Sequence, residues 1–172
     1  MAANNLILPE DYDSITQMPR DFAVLAVRGM SEVNQKDLWR RHIDQSEASA
    51  KLTSEQNRFI TELFDSTTWS DIEEGKADAL ALEAIDLFGK QKAFDLFVNL
   101  NHRFSPATTD TSSQRPWGDP GDGLNCHCNQ MVDFCDPGGM GPDLNCDPSA
   151  CSNRPLGCGF IFIQNCNGYC QG

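Results

Sequence analysis

The sequence predicts an α-helical bundle N-terminal domain followed by a small disulfide-rich, mostly loop and β C-terminal module. Three observations carry this division. All eight cysteines of the 172-residue chain lie between Cys126 and Cys170. Up to residue 104, apolar residues recur at helical spacing between good capping residues. Between these halves lies a stretch rich in Pro, Gly, Ser, Thr and Asp, with no apolar periodicity to bury. The expected units are therefore a helical domain over 1–104, a linker over 105–125 and a cysteine module over 126–172.

The elements follow in order. Leu6, Ile7 and Leu8 before Pro9 read as a loose arm, and Tyr12 to Met18 as one short helical turn. Pro19 suits a first helical position, where its missing N–H costs nothing. Asp21 to Val27 continue that helix, and Gly29 is expected to end it as a C-terminal cap. Ser31 is a good N-cap for a helix over 32–49, carrying Val33, Leu38, Trp39 and Ile43, with Arg40 and Arg41 on its outer face. Thr53 with Gln56 three residues on fits a capping box. Leu52, Phe59, Ile60, Leu63 and Phe64 then form one apolar stripe. Thr68 or Ser70 should open a fifth helix with Ile72, Leu80, Ala84, Leu87 and Phe88 inside, broken or capped by Gly89. A sixth is expected over 90–100, with Phe94, Phe97 and Leu100 together.

Charge narrows the partners. The net charge is -12, from 25 acidic and 13 basic residues, and no lysine follows Phe104. Nucleic acid and anionic lipid both require Lys/Arg clusters, so no nucleic-acid partner is expected. The longest apolar run, Ala23 to Val27, is far short of the roughly 18–20 residues of a membrane span, so no transmembrane segment is expected.

The cysteine module spans only 45 residues from first to last cysteine. So short a chain rarely builds a sufficient core and usually needs staples. Disulfides among Cys126, Cys128, Cys135, Cys146, Cys151, Cys158, Cys166 and Cys170 would supply them, each contributing about 2–4 kcal/mol. On the order of 100 connectivities are open, and spacing does not choose among them. A disulfide framework implies an extracellular protein. No charged segment followed by an apolar one opens the chain, so export is expected through a leader removed upstream or by another route. Gly159 to Ile163 reads as strand, with Phe160, Ile161, Phe162 and Ile163 as an interaction strand. Both of its faces are apolar, so it is either buried or meets a partner. Asn167-Gly168 is a turn signal.

Other chemistry is weighed and set aside. Zinc sites usually present paired C-x2–4-C knuckles, whereas here the two qualifying spacings are isolated, and His127 is a lone histidine among cysteines. Asp119, Asp122, Asp136, Asp143 and Asp147 sit among glycines and prolines, but no calcium-loop pattern joins them, and solvated turn aspartates are expected. No metal or cofactor is therefore predicted. His42, beside Trp39 and Ile43, reads as a packed or surface histidine, and His102 as a helix-end cation. Of the three tryptophans, Trp39 and Trp69 read as core and Trp117 as a linker anchor. No nucleophile elbow, zinc-protease or phosphate-loop motif occurs, so no catalytic residue is assigned and no enzyme is expected.

The cysteine module resembles the bacteriocin fulvocin C-related family. The matching features are Asn125 to Cys128 (NCHC), Asp133 to Cys135 (DFC), Gly157 to Gly159 (GCG) and Cys166 to Gly168 (CNG), with the count of eight cysteines. In the helical half, Tyr12 with Ile15 and Met18-Pro19, Leu38-Trp39 with His42, and Leu52-Thr53 with Gln56 resemble that family's precursor region. The resemblance implies a secreted bacteriocin-like precursor. Its helical half acts as leader or carrier, a processing protease cuts the linker, and the cystine-rich module acts on a target-cell surface component. Two features depart from the family pattern: the module is acidic, and its Asp136 to Asp143 loop is long. The alternative is an uncut extracellular structural, adhesive or binding subunit that assembles with itself or a partner through the module.

Overall fold

The structure, a computed structural model, describes residues 11–18, 20–46, 49–100, 128, 129, 132, 134, 145–147 and 154–171. The expectations for the arm before residue 11, Pro19, the linker, Trp117, His102, His127, Cys126, Cys135 and Cys151 lie outside these residues. So do those for Asp119, Asp122, Asp136 and Asp143.

The helical half forms as its caps dictate. Asp11 accepts from the Ser14 N–H at 2.9 Å and starts α1 (Tyr12–Ile15). Helix α2 is Arg20–Gly29. Gly29 is its last helical residue rather than a left-handed cap; the chain closes instead through the Met30 N–H donating to the Val27 carbonyl at 3.1 Å. Ser31 caps α3 (Glu32–Gln45) as expected, but the helix ends at Gln45, four residues short of the predicted 49, with Ser46 as its extended C-cap.

The Thr53–Gln56 capping box forms in full at α4 (Ser54–Thr61), with the Thr53 N–H donating to Gln56 at 3.0 Å and the Gln56 N–H to Thr53 at 3.2 Å. The chain then widens into a π-helical turn, Glu62–Ser66. The predicted start of the fifth helix is a separate 3-10 turn, Trp69–Asp71, and α5 (Glu74–Phe88) begins at the uncapped Glu73. Gly89, at φ +79°, ends α5 and starts α6 (Lys90–Phe97); only glycine takes that backbone without strain.

Among the described residues, four short strands follow. Strand β1 (Asn145–Asp147) pairs antiparallel with β4 (Tyr169–Gln171), placing Cys146 opposite Cys170. Strand β2 (Arg154–Cys158) pairs antiparallel with β3 (Gln164–Cys166), with an irregular register. The Asn167-Gly168 pair joins β3 to β4, which belong to different ladders, and clasps Cys128: the amides of Asn167 and Gly168 both donate to the Cys128 carbonyl, at 2.9 and 3.1 Å. A disulfide joins Cys128 to Cys146, and Cys166 is also disulfide-bonded.

The core does not stop at the helices. One cluster contains Tyr12, Ile15, Trp39, Phe59, Leu63, Ala81, Leu96 and Phe97 together with Val132, Phe134 and Phe160 to Ile163. Helical residues and C-terminal residues thus share a single hydrophobic interior. No helix among the described residues is long and apolar enough to cross a membrane.

Candidate functional site at the docked C-terminal tip

The predicted interaction strand is where the two halves meet. Phe160 to Ile163 do not form a strand. They are the tip between β2 and β3, with Phe160–Phe162 in a 3-10 turn whose Ile161 and Phe162 have φ of +41° and +60°. Left-handed backbone costs roughly 1–2 kcal/mol per non-glycine residue, and a β-branched residue such as Ile161 tolerates it worst. Burial offsets that cost. All four side chains are at most 5% exposed, and burying each stabilises by about 1.5–3 kcal/mol, so the burial term is several times the strain. A short continuous apolar run has no period that separates a strand from a buried helical turn, which is why the strand reading failed.

The two aromatic side chains of the tip have receiving surfaces on the helices. Phe160 enters the Phe59–Phe88–Phe97 cluster, its ring 5.1 Å from Phe97 and 6.3 Å from Phe59. Phe162 meets Trp39 edge-on at 5.2 Å, the favourable geometry for two aromatic quadrupoles. Phe134, from the DFC segment, stacks obliquely on Phe94 at 6.4 Å. On α5, Ala77, Ala81 and Ala84 are fully buried in the same core.

Among the described residues, a polar bridge crosses the junction. Gln164, fully buried, accepts from the Phe160 N–H at 2.8 Å and donates to the Asp78 carboxyl at 2.6 Å. The first bond closes the turn and the second fixes it to α5. Gly159 makes this geometry available: its φ is +58°, and a Cβ there would collide with the Gln164 side-chain oxygen. Farther along, Asn129 donates to the Asn165 carbonyl at 2.9 Å and accepts from the Val132 N–H at 3.3 Å.

His42 is a core residue, one of the two outcomes expected for it. It is fully buried, edge-on to Trp39 at 5.5 Å. Its Nε2 lies 2.8 Å from the Asp95 carbonyl, which only accepts, so Nε2 carries the hydrogen. In the neutral ring Nδ1 then accepts from the Tyr12 hydroxyl at 3.2 Å. Burial raises the Tyr12 phenol above its ordinary value, which keeps it a donor. Trp39 and Trp69 are buried as expected; the Trp69 indole donates to the Leu63 carbonyl at 2.9 Å, whereas the Trp39 Nε1 finds no acceptor among the described residues. Arg40 and Arg41, expected at the outer face, pair with Asp65 and Asp13.

Sequence reasoning singled out Phe160 to Ile163 but not Asp78 or Gln164. The available signal was Gln164 closing an apolar run, together with an acidic residue set among the alanines of α5. Among the described residues, no group of three or more His, Cys, Asp or Glu side chains is placed to hold a metal ion. A scan of protein-family models, of curated proteins and of solved structures gives no match to the chain.

Proposed function

We propose that the chain is a secreted bacteriocin-like precursor whose helical half is a carrier for the cystine-rich C-terminal part. The carrier shields the apolar Phe160 to Ile163 tip until the active part is delivered to a target-cell surface. The observation that supports this reading is the docked tip: four large apolar residues of the C-terminal part lie in a surface built by α3, α4, α5 and α6. An exposed tip of this kind would be an aggregation hazard, so a tethered carrier keeps the module dispersed while its disulfides form. The resemblance of the NCHC, DFC, GCG and CNG motifs and of the eight-cysteine count to fulvocin C-related proteins supplies the bacteriocin part of the reading. The remaining cysteines would complete a disulfide framework, and no catalytic step is assigned to the protein.

On this reading, cutting the linker alone does not release the active part, because the tip remains seated in the carrier. The test is an intact mass of the protein from its native producer, before and after reduction, joined to gel filtration of protein cut in the linker. An oxidised fragment of roughly 5–6 kDa that co-elutes with the helical half, and inhibits growth of neighbouring species once separated, is expected. An uncut chain in the producer, with no inhibition by the separated fragment, overturns it. The same shared core favours a second reading, an uncut extracellular structural, adhesive or binding subunit. In that case the disulfide part staples the C-terminus to the helical body, and the uncut mass is the expected result.

A further inference from the structure

A cavity of about 270 Å³ opens beside the docked tip, walled by the end of α2, the start of α3, the Trp69–Asp71 turn and Ile163. Arg28 lines it from the last turn of α2. This guanidinium is half-buried and has no ion-pair partner among the described residues, in a chain whose net charge is -12. Desolvation pushes it below its ordinary value, the mark of a cation short of compensation. Glu32, on the same cavity, is already committed. Its carboxylate pairs with Lys36 at 2.8 Å and accepts from the amides of Trp69 and Ser70, each at 3.0 Å. The rest of the wall is largely apolar: Trp69, Ile72 and Ile163, with Gln35 as a buried amide.

We infer that this cavity binds a small amphipathic monocarboxylate, its carboxylate on Arg28 and its apolar body against Trp69, Ile72 and Ile163. The size sets the ligand: the volume equals about nine waters of liquid, room for roughly ten non-hydrogen atoms. The charge sets it too. One guanidinium without an ion-pair partner among the described residues matches one carboxylate, and the fixed negative charge of Glu32 disfavours a dianion such as phosphate. Two sources share this chemistry, a free aryl or acyl acid and the C-terminal residue of a peptide. The inference does not depend on the carrier reading. It requires only that Ile163 stays docked.

The test is calorimetric titration of the full-length protein with phenylacetate, with its neutral counterpart phenylacetamide, and with Gly-Gly-Phe as free acid and as C-terminal amide. The acids are expected to bind at least about tenfold more tightly than the amides, a difference set by the charge-assisted hydrogen bond. Arg28→Met should remove that preference with the melting temperature held. Ile72→Trp, which fills the cavity and leaves the Arg28 side chain itself unchanged, should abolish binding of every probe and carries the test if the first variant fails to fold. Stronger binding of Gly-Gly-Phe than of phenylacetate identifies a peptide C-terminus as ligand, and the reverse order a free acid. Equal binding of acid and amide, unchanged affinity in the Arg28→Met variant, or no binding to the folded protein at millimolar probe overturns the inference.

Discussion

Helix α4 and the Gly159–Gln164 tip are held in place by opposite means. Helix α4 is specified within itself: Thr53 and Gln56 satisfy each other's backbone three residues apart, and the Phe59 face then finds the core. The tip is specified from a distance. Its turn is one that its own residues disfavour, and its partners Trp39, Phe59, Asp78 and Phe97 lie far back in the chain. Local rules therefore build the first region and tertiary contacts override them in the second.

The sharpest way to break the contrast is to remove the aromatic anchors of the tip. Phe160→Ala or Phe162→Ala should cost about 3–5 kcal/mol in denaturant unfolding, as expected for a large side chain deleted from a closed core. Phe22→Ala, at a position 48% exposed, should cost under about 1 kcal/mol. If the tip variants unfold like Phe22→Ala, the docking is not what stabilises the chain.

Next in size is the Cys128–Cys146 bridge, which closes a loop of 18 residues. Replacing both cysteines by serine should lower stability by about 3 kcal/mol. The far-ultraviolet helical signal should persist at temperatures where the C-terminal ladder has opened. Simultaneous loss of both would show that the halves fold as one cooperative unit and would erase the distinction between them.

The same contrast decides what was legible in the sequence. Thr53–Gln56, Ser31 and Gly89 announce their structures because a cap is a short-range hydrogen-bonding problem. The stripe through Phe59, Leu63 and Phe64 announces its burial because period 3.6 is visible in eight residues. Thr68 and Ser70 misled because the Trp69 indole and the Glu32 carboxylate hold that segment in a separate 3-10 turn. Phe160 to Ile163 were legible as apolar but not as a turn, since nothing within five residues reveals the Phe97 cluster or Asp78. The cavity at Arg28 was not legible at all, because its walls come from three separated segments, 28–35, 69–72 and Ile163.

Gln164 tests the polar part of the junction. Gln164→Leu removes the bond to Asp78 and the one that closes the tip, leaving the Phe160 amide buried and unpaired. A loss of about 1–3 kcal/mol is expected, smaller than for either aromatic anchor. Asp78→Ala in the same background should add little, because the two residues share one interaction. Full additivity in that double-mutant cycle would mean that the bridge does not couple tip and helix.

The smallest effect lies wholly within the helical half and asks whether long-range ties also matter there. The Lys36 ammonium, then the amides of Trp69 and Ser70, pull the Glu32 carboxyl from 4.5 down to about 2. The unfolded chain loses these partners and takes up a proton first as pH falls. The stabilisation is therefore complete above about pH 4.5 and disappears as the pH approaches 2. The pair is partly exposed, the Glu32 side chain at 27%, so solvent screening should limit the term to about 1 kcal/mol. Glu32→Gln should thus lower the melting temperature slightly at pH 6 and not at pH 2, while wild type and variant converge on acidification. A constant difference across that range would mean that shape rather than charge holds α3 to the Trp69 turn. In that case the helical half would depend on long-range packing as much as the tip does.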